Sequence, residues 1–254
     1  MFKTGLTSIT FRKLSVSDVI GTAKEASLDG IEWGSDVHLP PGDTGLAEAI
    51  RRETEAAGLS CPSYGSYFRC DGESGDFLPY LETAVALGAS VIRVWAGRNG
   101  SAEATSEYRR EVVETLRNIV EIAAGKGVLI GLEYHGGTLT DTQSSAHQLL
   151  SEVGLPDLKL YWQPRKNSTA NHNLNELEAA LPYLSHLHAF HWGPGGFKDR
   201  LPFADGKDDW LHYLRLAAQA PGERYIHFEF TRGDSPKSLL EDAAALHDLM
   251  GKIR

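Results

Sequence analysis

Val128-Leu-Ile-Gly-Leu-Glu-Tyr-His-Gly-Gly-Thr138 is a short apolar run that stops on a carboxylate, an imidazole and two glycines. An apolar run of this length is what a parallel strand buried on both faces requires. A reactive side chain on the last residue of such a strand is how an α/β enzyme presents chemistry from a rigid support. We therefore read Glu133 as the first ligand of a metal site. On its own, Glu133 leaves a structural alternative open, in which it caps the next helix or pairs with an arginine.

Working outward, the same strand–loop–helix pattern repeats along the chain. Strand candidates run from Thr4 to Phe11, Gly30 to Trp33, Leu59 to Tyr67, Ser90 to Ala96, Val128 to His135, Leu158 to Gln163, His186 to Trp192 and Arg224 to Phe230. Helical spacing of apolar residues marks Ser17 to Ser27, Gly45 to Ala57 and Ser106 to Lys126. Asn173, ahead of Leu174 and Leu177, reads as a helix N-cap, and Ser235-Pro236 reads as the cap and first position of the last helix. Gly58, Gly88, Gly125, Gly127 and Gly154 follow helical runs as left-handed caps do. Strands alternating with helices imply a parallel sheet. Eight such units over 254 residues without a linker predict one α/β domain, residues 1–254, a single (β/α)8 TIM barrel. A doubly wound open sheet is the runner-up, but Ser8-Ile-Thr-Phe-Arg12 is unlike the glycine-rich turn that such sheets carry after the first strand.

The formal charge of −9 and the lack of a Lys/Arg-rich run argue against a nucleic-acid or anionic-membrane partner, whose phosphates call for a positive surface. Cys61 and Cys70 have no metal-binding Cys-x-x-Cys spacing. A disulfide framework is not expected, which suits a reducing cytoplasm. No signal-peptide pattern opens the sequence and no run reaches the ~20 apolar residues of a membrane span.

Chemistry in such a barrel gathers where strands end. Glu133, Gln163, His188 and Glu229 come from four consecutive strand candidates at about the same height. Neighbouring strands lie roughly 4.8 Å apart, so these side chains can converge on one ion. Three oxygen donors and an imidazole suit Mn, Mg, Co or Zn as the divalent metal ion, with positions left open for substrate.

A Glu on strand five, an acid or amide on strand six, a His-x-His run on strand seven and a Glu on strand eight resemble the xylose isomerase-like barrel superfamily. That group holds sugar isomerases, ketose 3-epimerases, inosose dehydratases and endonuclease IV-type nucleases. Glu-Tyr-His-Gly-Gly-Thr138 and His186-Leu-His-Ala-Phe-His-Trp192 are most similar to its sugar phosphate isomerase/epimerase members. The resemblance implies that Glu133 and Glu229 are both ligands and proton-transfer groups, with His188 as a third ligand. The chain departs from the pattern at Gln163, where an aspartate is common. The amide leaves only two carboxylates to balance the ion, which implies weaker retention of metal and a stronger Lewis acid.

The expected function is a metal-dependent isomerase or epimerase acting on a sugar, sugar phosphate or polyol through an enediolate, with Glu133 and Glu229 moving the proton. The alternatives are a keto-polyol (inosose-type) dehydratase, an endonuclease IV-like nuclease and a non-catalytic sugar-binding barrel. His38, Trp95, His135, Arg165, His191 and Lys198 are the candidate substrate-binding residues, each with a structural reading beside it: a turn or loop histidine, a core tryptophan, a surface cation. Homo-oligomers are common in the family that the chain resembles.

Overall fold

Apolar runs flanked by glycine and polar residues become strands because both faces of each are covered. The computed structural model describes residues 1–165 and 168–253. The strands β1 (Phe2–Thr7), β2 (Gly30–Gly34), β3 (Ser63–Arg69), β4 (Val91–Trp95), β5 (Leu129–Glu133), β6 (Leu158–Trp162), β7 (Leu184–Ala189) and β8 (Arg224–Phe228) follow one another around a closed barrel. The described pairings between these strands are parallel, and β8 closes on β1 with His227 beside Gly5. Each strand leads to a helix: α1 (Val16–Glu25), α2 (Thr44–Ala56), α3 (Leu78–Leu87), α4 (Ser106–Ala124), α5 (Gln143–Val153), α6 (Ala170–Ala180), α7 (Lys207–Ala217) and α8 (Pro236–Gly251). This is the (β/α)8 barrel that the repeat predicts.

Contacts group the chain into two sets, Met1–Glu32 with Glu53–Ser60 and Trp162–Arg254, and Trp33–Arg52 with Cys61–Tyr161. In the first, Trp162 packs edge-on against Trp210 and Tyr213. In the second, Tyr64 is fully buried and its hydroxyl donates to the Leu39 carbonyl at 2.8 Å. Among the described residues, no helix is long and apolar enough to cross a membrane.

The strand candidates overrun where apolar residues continue past the ladder. β1 ends at Thr7, and Ser8–Phe11 is a buried 3-10 turn. β3 begins at Ser63, because Pro62 has no N–H to give the ladder. β7 ends at Ala189, and Phe190 instead stacks on Trp192 at 3.7 Å. β8 ends at Phe228, and Phe230 turns away with a left-handed φ of 56°.

Two cap assignments also change. Thr169 caps α6 by accepting the His172 N–H, whereas Asn173 lies inside the helix, buried, and accepts the Arg165 N–H at 3.0 Å. Gly125 is right-handed, while Gly58, Gly88, Gly127 and Gly154 have positive φ. Both cysteines are buried, free thiols.

Gly131, inside β5, is fixed by close approach. A Cβ there would lie 2.6 Å from Cε2 of Tyr161, whose ring is fully buried and has nowhere to retreat. Gly131→Ala is expected to destabilise the protein by about 1–3 kcal/mol through overpacking, which thermal unfolding would show as a Tm several degrees lower.

Asp242 on α8 is buried and accepts the Phe203 N–H at 2.9 Å. Burial pushes its carboxyl up from 3.8 to about 6, against the opposing pull of that N–H and of Arg232. Between those two values the folded protein holds a proton that the unfolded chain has released, so this group's contribution to stability declines as pH rises through the window. Asp242→Asn is expected to lessen the loss of Tm across that range; equal pH slopes for the two proteins would contradict this.

Candidate metal centre

β5 delivers Glu133 at its last residue, with a relative exposure of 2%. Arg93 and Trp95 come from the adjacent strand β4. Arg93, itself 1% exposed, pairs with Oε2 of Glu133, and Nε1 of Trp95 donates to the same oxygen at 2.5 Å. The arginine pairing that the sequence left open is therefore present, and it fixes the carboxylate's orientation. A guanidinium buried this deeply needs an anionic partner, so Arg93 within the apolar run Val91–Trp95 was a legible signal that a carboxylate stands beside it.

His135 follows two residues on, half-buried, its ring tilted against Trp95 at 4.4 Å between centroids. Its Nδ1 lies 2.7 Å from the Gly136 carbonyl. A carbonyl only accepts, so Nδ1 carries the proton and, in the neutral imidazole, Nε2 carries the lone pair.

β7 delivers His188, fully buried, and β6 is followed directly by Gln163. The Nδ1 of His188 lies 2.9 Å from Oε1 of Gln163 and 3.5 Å from Oε2 of Glu229, which follows β8 by one residue. The Nε2 of His188 lies 3.9 Å from Oε1 of Glu32, on β2. One layer down, Nδ1 of His186 accepts the Tyr225 N–H at 3.2 Å, and burial lowers the pKa of that imidazole to about 4, so it stays neutral.

Glu133, His188 and Glu229, all buried, each offer a ligand atom, and these atoms lie within 4.8 Å of one another. Two carboxylates and an imidazole suit a hard or borderline divalent cation. Donor atoms in adjacent positions on an octahedral ion, with bonds of about 2.1 Å, stand roughly 3 Å apart. The spacings of His188 Nδ1 to Gln163 and to Glu229 are close to that edge, so the residues present fit a bound ion.

His38, after β2, is buried edge-on to Trp33 at 5.7 Å. Trp33 and Trp162 are core residues with no exposure. Arg165 donates through Nε to Glu176 of α6 at 2.6 Å. With His191 it lines a cavity of about 450 Å³ walled by Phe190, Trp192, Trp210 and Tyr213. Lys198 is exposed in the turn Gly196–Lys198.

The model of the xylose isomerase-like TIM barrel family matches residues 20–249. A 3-dehydroshikimate dehydratase of Bacillus anthracis is 28% identical over 207 residues, covering 73% of this chain and 70% of that protein. The crystal structure of the probable 3-DHS dehydratase of petrobactin synthesis from Bacillus anthracis superposes with a TM-score of 0.79 at 20% identity, over 96% of this chain and 98% of that one. A xylose isomerase-like barrel from Mycobacterium smegmatis in complex with magnesium gives 0.76 at 16% identity, over 99% and 98%. D-allulose 3-epimerase from Methylomonas sp. gives 0.72 at 17%, over 99% and 98%. At these identities the structural matches speak to the fold. With the family model covering nearly the whole sequence and the closed eight-stranded barrel built as described, this chain belongs to the xylose isomerase-like TIM barrel family.

Proposed function

We propose that the protein is a divalent-metal-dependent enzyme that removes a proton from the carbon next to a carbonyl in a small polyhydroxylated substrate, and then releases a neighbouring hydroxyl as water. The substrate class is a keto-polyol or a hydroxylated ring ketone. One observation carries the choice of dehydration: the two glutamates are unlike. Glu133 is tied through Oε2 to a guanidinium and an indole, an arrangement for a fixed anionic ligand, whereas Glu229 faces His188. A proton shuttle between two faces of a substrate calls for two mobile carboxylates; elimination needs one base. The dehydratase relative from Bacillus anthracis supports the same reading.

In this scheme His135, with its lone pair on Nε2, takes the α-proton. When bound, the ion supplies Lewis-acid stabilisation of the negative charge that develops on the substrate oxygen. Glu133, His188 and Glu229 would hold it, with Gln163 as a neutral fourth donor. The imidazolium of His135 returns its proton to the departing hydroxyl, so substrate becomes an unsaturated ketone plus water. Trp95 backs the His135 ring and shields that side from solvent.

The second reading, an isomerase or epimerase, is favoured by the presence of both Glu133 and Glu229 in one cluster. Incubating Mn²⁺-loaded protein with 3-dehydroshikimate, inososes and ketoses in D₂O separates the two. Rising ultraviolet absorbance from a conjugated product, with loss of water by mass, is expected. Solvent deuterium appearing in a ketose without water loss would instead select the second reading.

A further inference from the structure

Both glutamates of the cluster sit where a strand has just ended, and each is flanked by a pair of buried threonines. After β5, Thr140 donates its hydroxyl to the Glu133 carbonyl at 2.5 Å and Thr138 donates to the His135 carbonyl at 2.8 Å. The two hydroxyl oxygens lie 2.9 Å apart, and Thr138 also accepts the Thr140 N–H at 3.2 Å. After β8, Thr7 donates to the Phe228 carbonyl at 3.1 Å, and Thr10 accepts the Phe230 N–H at 3.0 Å. Those are the backbone groups on either side of Glu229. The Thr7 and Thr10 hydroxyl oxygens lie 3.2 Å apart, and since the Thr7 hydrogen goes to the Phe228 carbonyl, Thr10 donates a hydrogen bond to Thr7. All four threonines are 2% exposed or less.

These bonds satisfy what the ladder leaves over at the strand ends, where the Tyr134 and Glu229 N–H groups still donate to the Tyr161 and Ala189 carbonyls at 3.2 and 3.1 Å. The carbonyl of a strand's last residue and the amides just beyond it must still be satisfied, and hydroxyls fixed on a neighbouring segment do so with one geometry. Phe230, held by Thr10, keeps a left-handed backbone that a β-region residue would relax out of, and such strain persists only where surroundings enforce it. Relaxation there would swing Glu229, one residue earlier.

We infer that Thr138–Thr140 and Thr7–Thr10 are positioning residues, two hydroxyl clamps that hold the backbone at Glu133 and Glu229 so that both carboxylates reach the same ion. The inference rests on the metal-dependent reading above and adds to it four residues that touch neither ion nor substrate.

The test is Mn²⁺ affinity, read from the electron paramagnetic resonance of free Mn²⁺, alongside Tm. Thr140→Val and Thr10→Val keep the buried volume and delete the hydroxyl. Each is expected to weaken Mn²⁺ binding roughly 10- to 100-fold, the usual scale for partners that orient metal ligands. Thr140→Ser and Thr10→Ser, which keep the hydroxyl, should restore most of the affinity. Thr115, whose hydroxyl donates to the Gly72 carbonyl at 3.0 Å on α4, supplies the control: Thr115→Val should lower Tm and leave Mn²⁺ affinity unchanged. Should a valine variant not fold, the alanine variant, which adds no atoms, takes its place. Valine variants that lower Tm as Thr115→Val does, yet bind Mn²⁺ like the parent, would overturn the inference alone. A parent protein that takes up no Mn²⁺ would overturn the metal-dependent reading and the inference together.

Discussion

Glu229→Gln is expected to lower kcat/KM by about 10³-fold or more and to weaken Mn²⁺ binding by at least roughly a hundredfold. The reasoning is one of charge. Arg93 already offsets the charge of Glu133 through their buried contact, and Gln163 is neutral. Glu229 therefore brings the second carboxylate charge of the proposed ligand set, and in the contact described it faces an imidazole, not a guanidinium. A glutamine of the same shape would still offer an oxygen 3.5 Å from His188 but no charge to oppose a divalent cation in a buried site. Because the substitution is isosteric, Tm without metal should change little or rise, since two carboxylates no longer repel across the cluster. Calorimetric Mn²⁺ titration and steady-state kinetics check both halves. An affinity within a few-fold of the parent would show that Glu229 is not a ligand.

Arg93→Met should have the largest effect on stability, and the effect should depend on metal. Removing one partner of a buried ion pair leaves the other charge without compensation and typically costs about 3–5 kcal/mol. Trp95 alone would then donate to Oε2 of Glu133 among the contacts described above. A cation that binds next to Glu133 would supply the missing charge, so Mn²⁺ should restore more Tm to Arg93→Met than it adds to the parent protein. The double variant Arg93→Met/Glu133→Gln should be more stable than Arg93→Met alone, because the stranded carboxylate has gone. Thermal unfolding of the four proteins, with and without Mn²⁺, gives the complete cycle. Additive losses, or no extra rescue by metal, would place Glu133 away from any ion.

The sequence made the barrel and the strand-end glutamates readable for one physical reason. A strand buried on both faces must be apolar until it reaches the mouth, so a carboxylate closing such a run, as at Glu133 and Glu229, marks the mouth itself. His188 was readable from the alternation of His186 and His188 with Leu187. Strand ends were less readable, because aromatic residues such as Phe190, Trp192 and Phe230 keep packing after the ladder stops. Arg165 shows a different limit. Its partner Glu176 lies in the following helix, and nothing local to Pro164-Arg165 announces that pairing. Asn173 was misplaced because threonine and asparagine obey the same capping rule, and only the fold chose Thr169. The threonine clamps left one faint trace, the Thr138-Leu-Thr140 run after two glycines; Thr7 and Thr10 are hidden until β1 lies beside β8.

Anomalous diffraction from a crystal of the protein equilibrated with Mn²⁺ would show where the ion goes. The expected result is a single strong peak within bonding distance, roughly 2.0–2.3 Å, of Glu133, His188 and Glu229 together, with Gln163 beside it. A peak elsewhere, or saturating Mn²⁺ with none between those three side chains, would contradict the metal centre and every step of chemistry built on it.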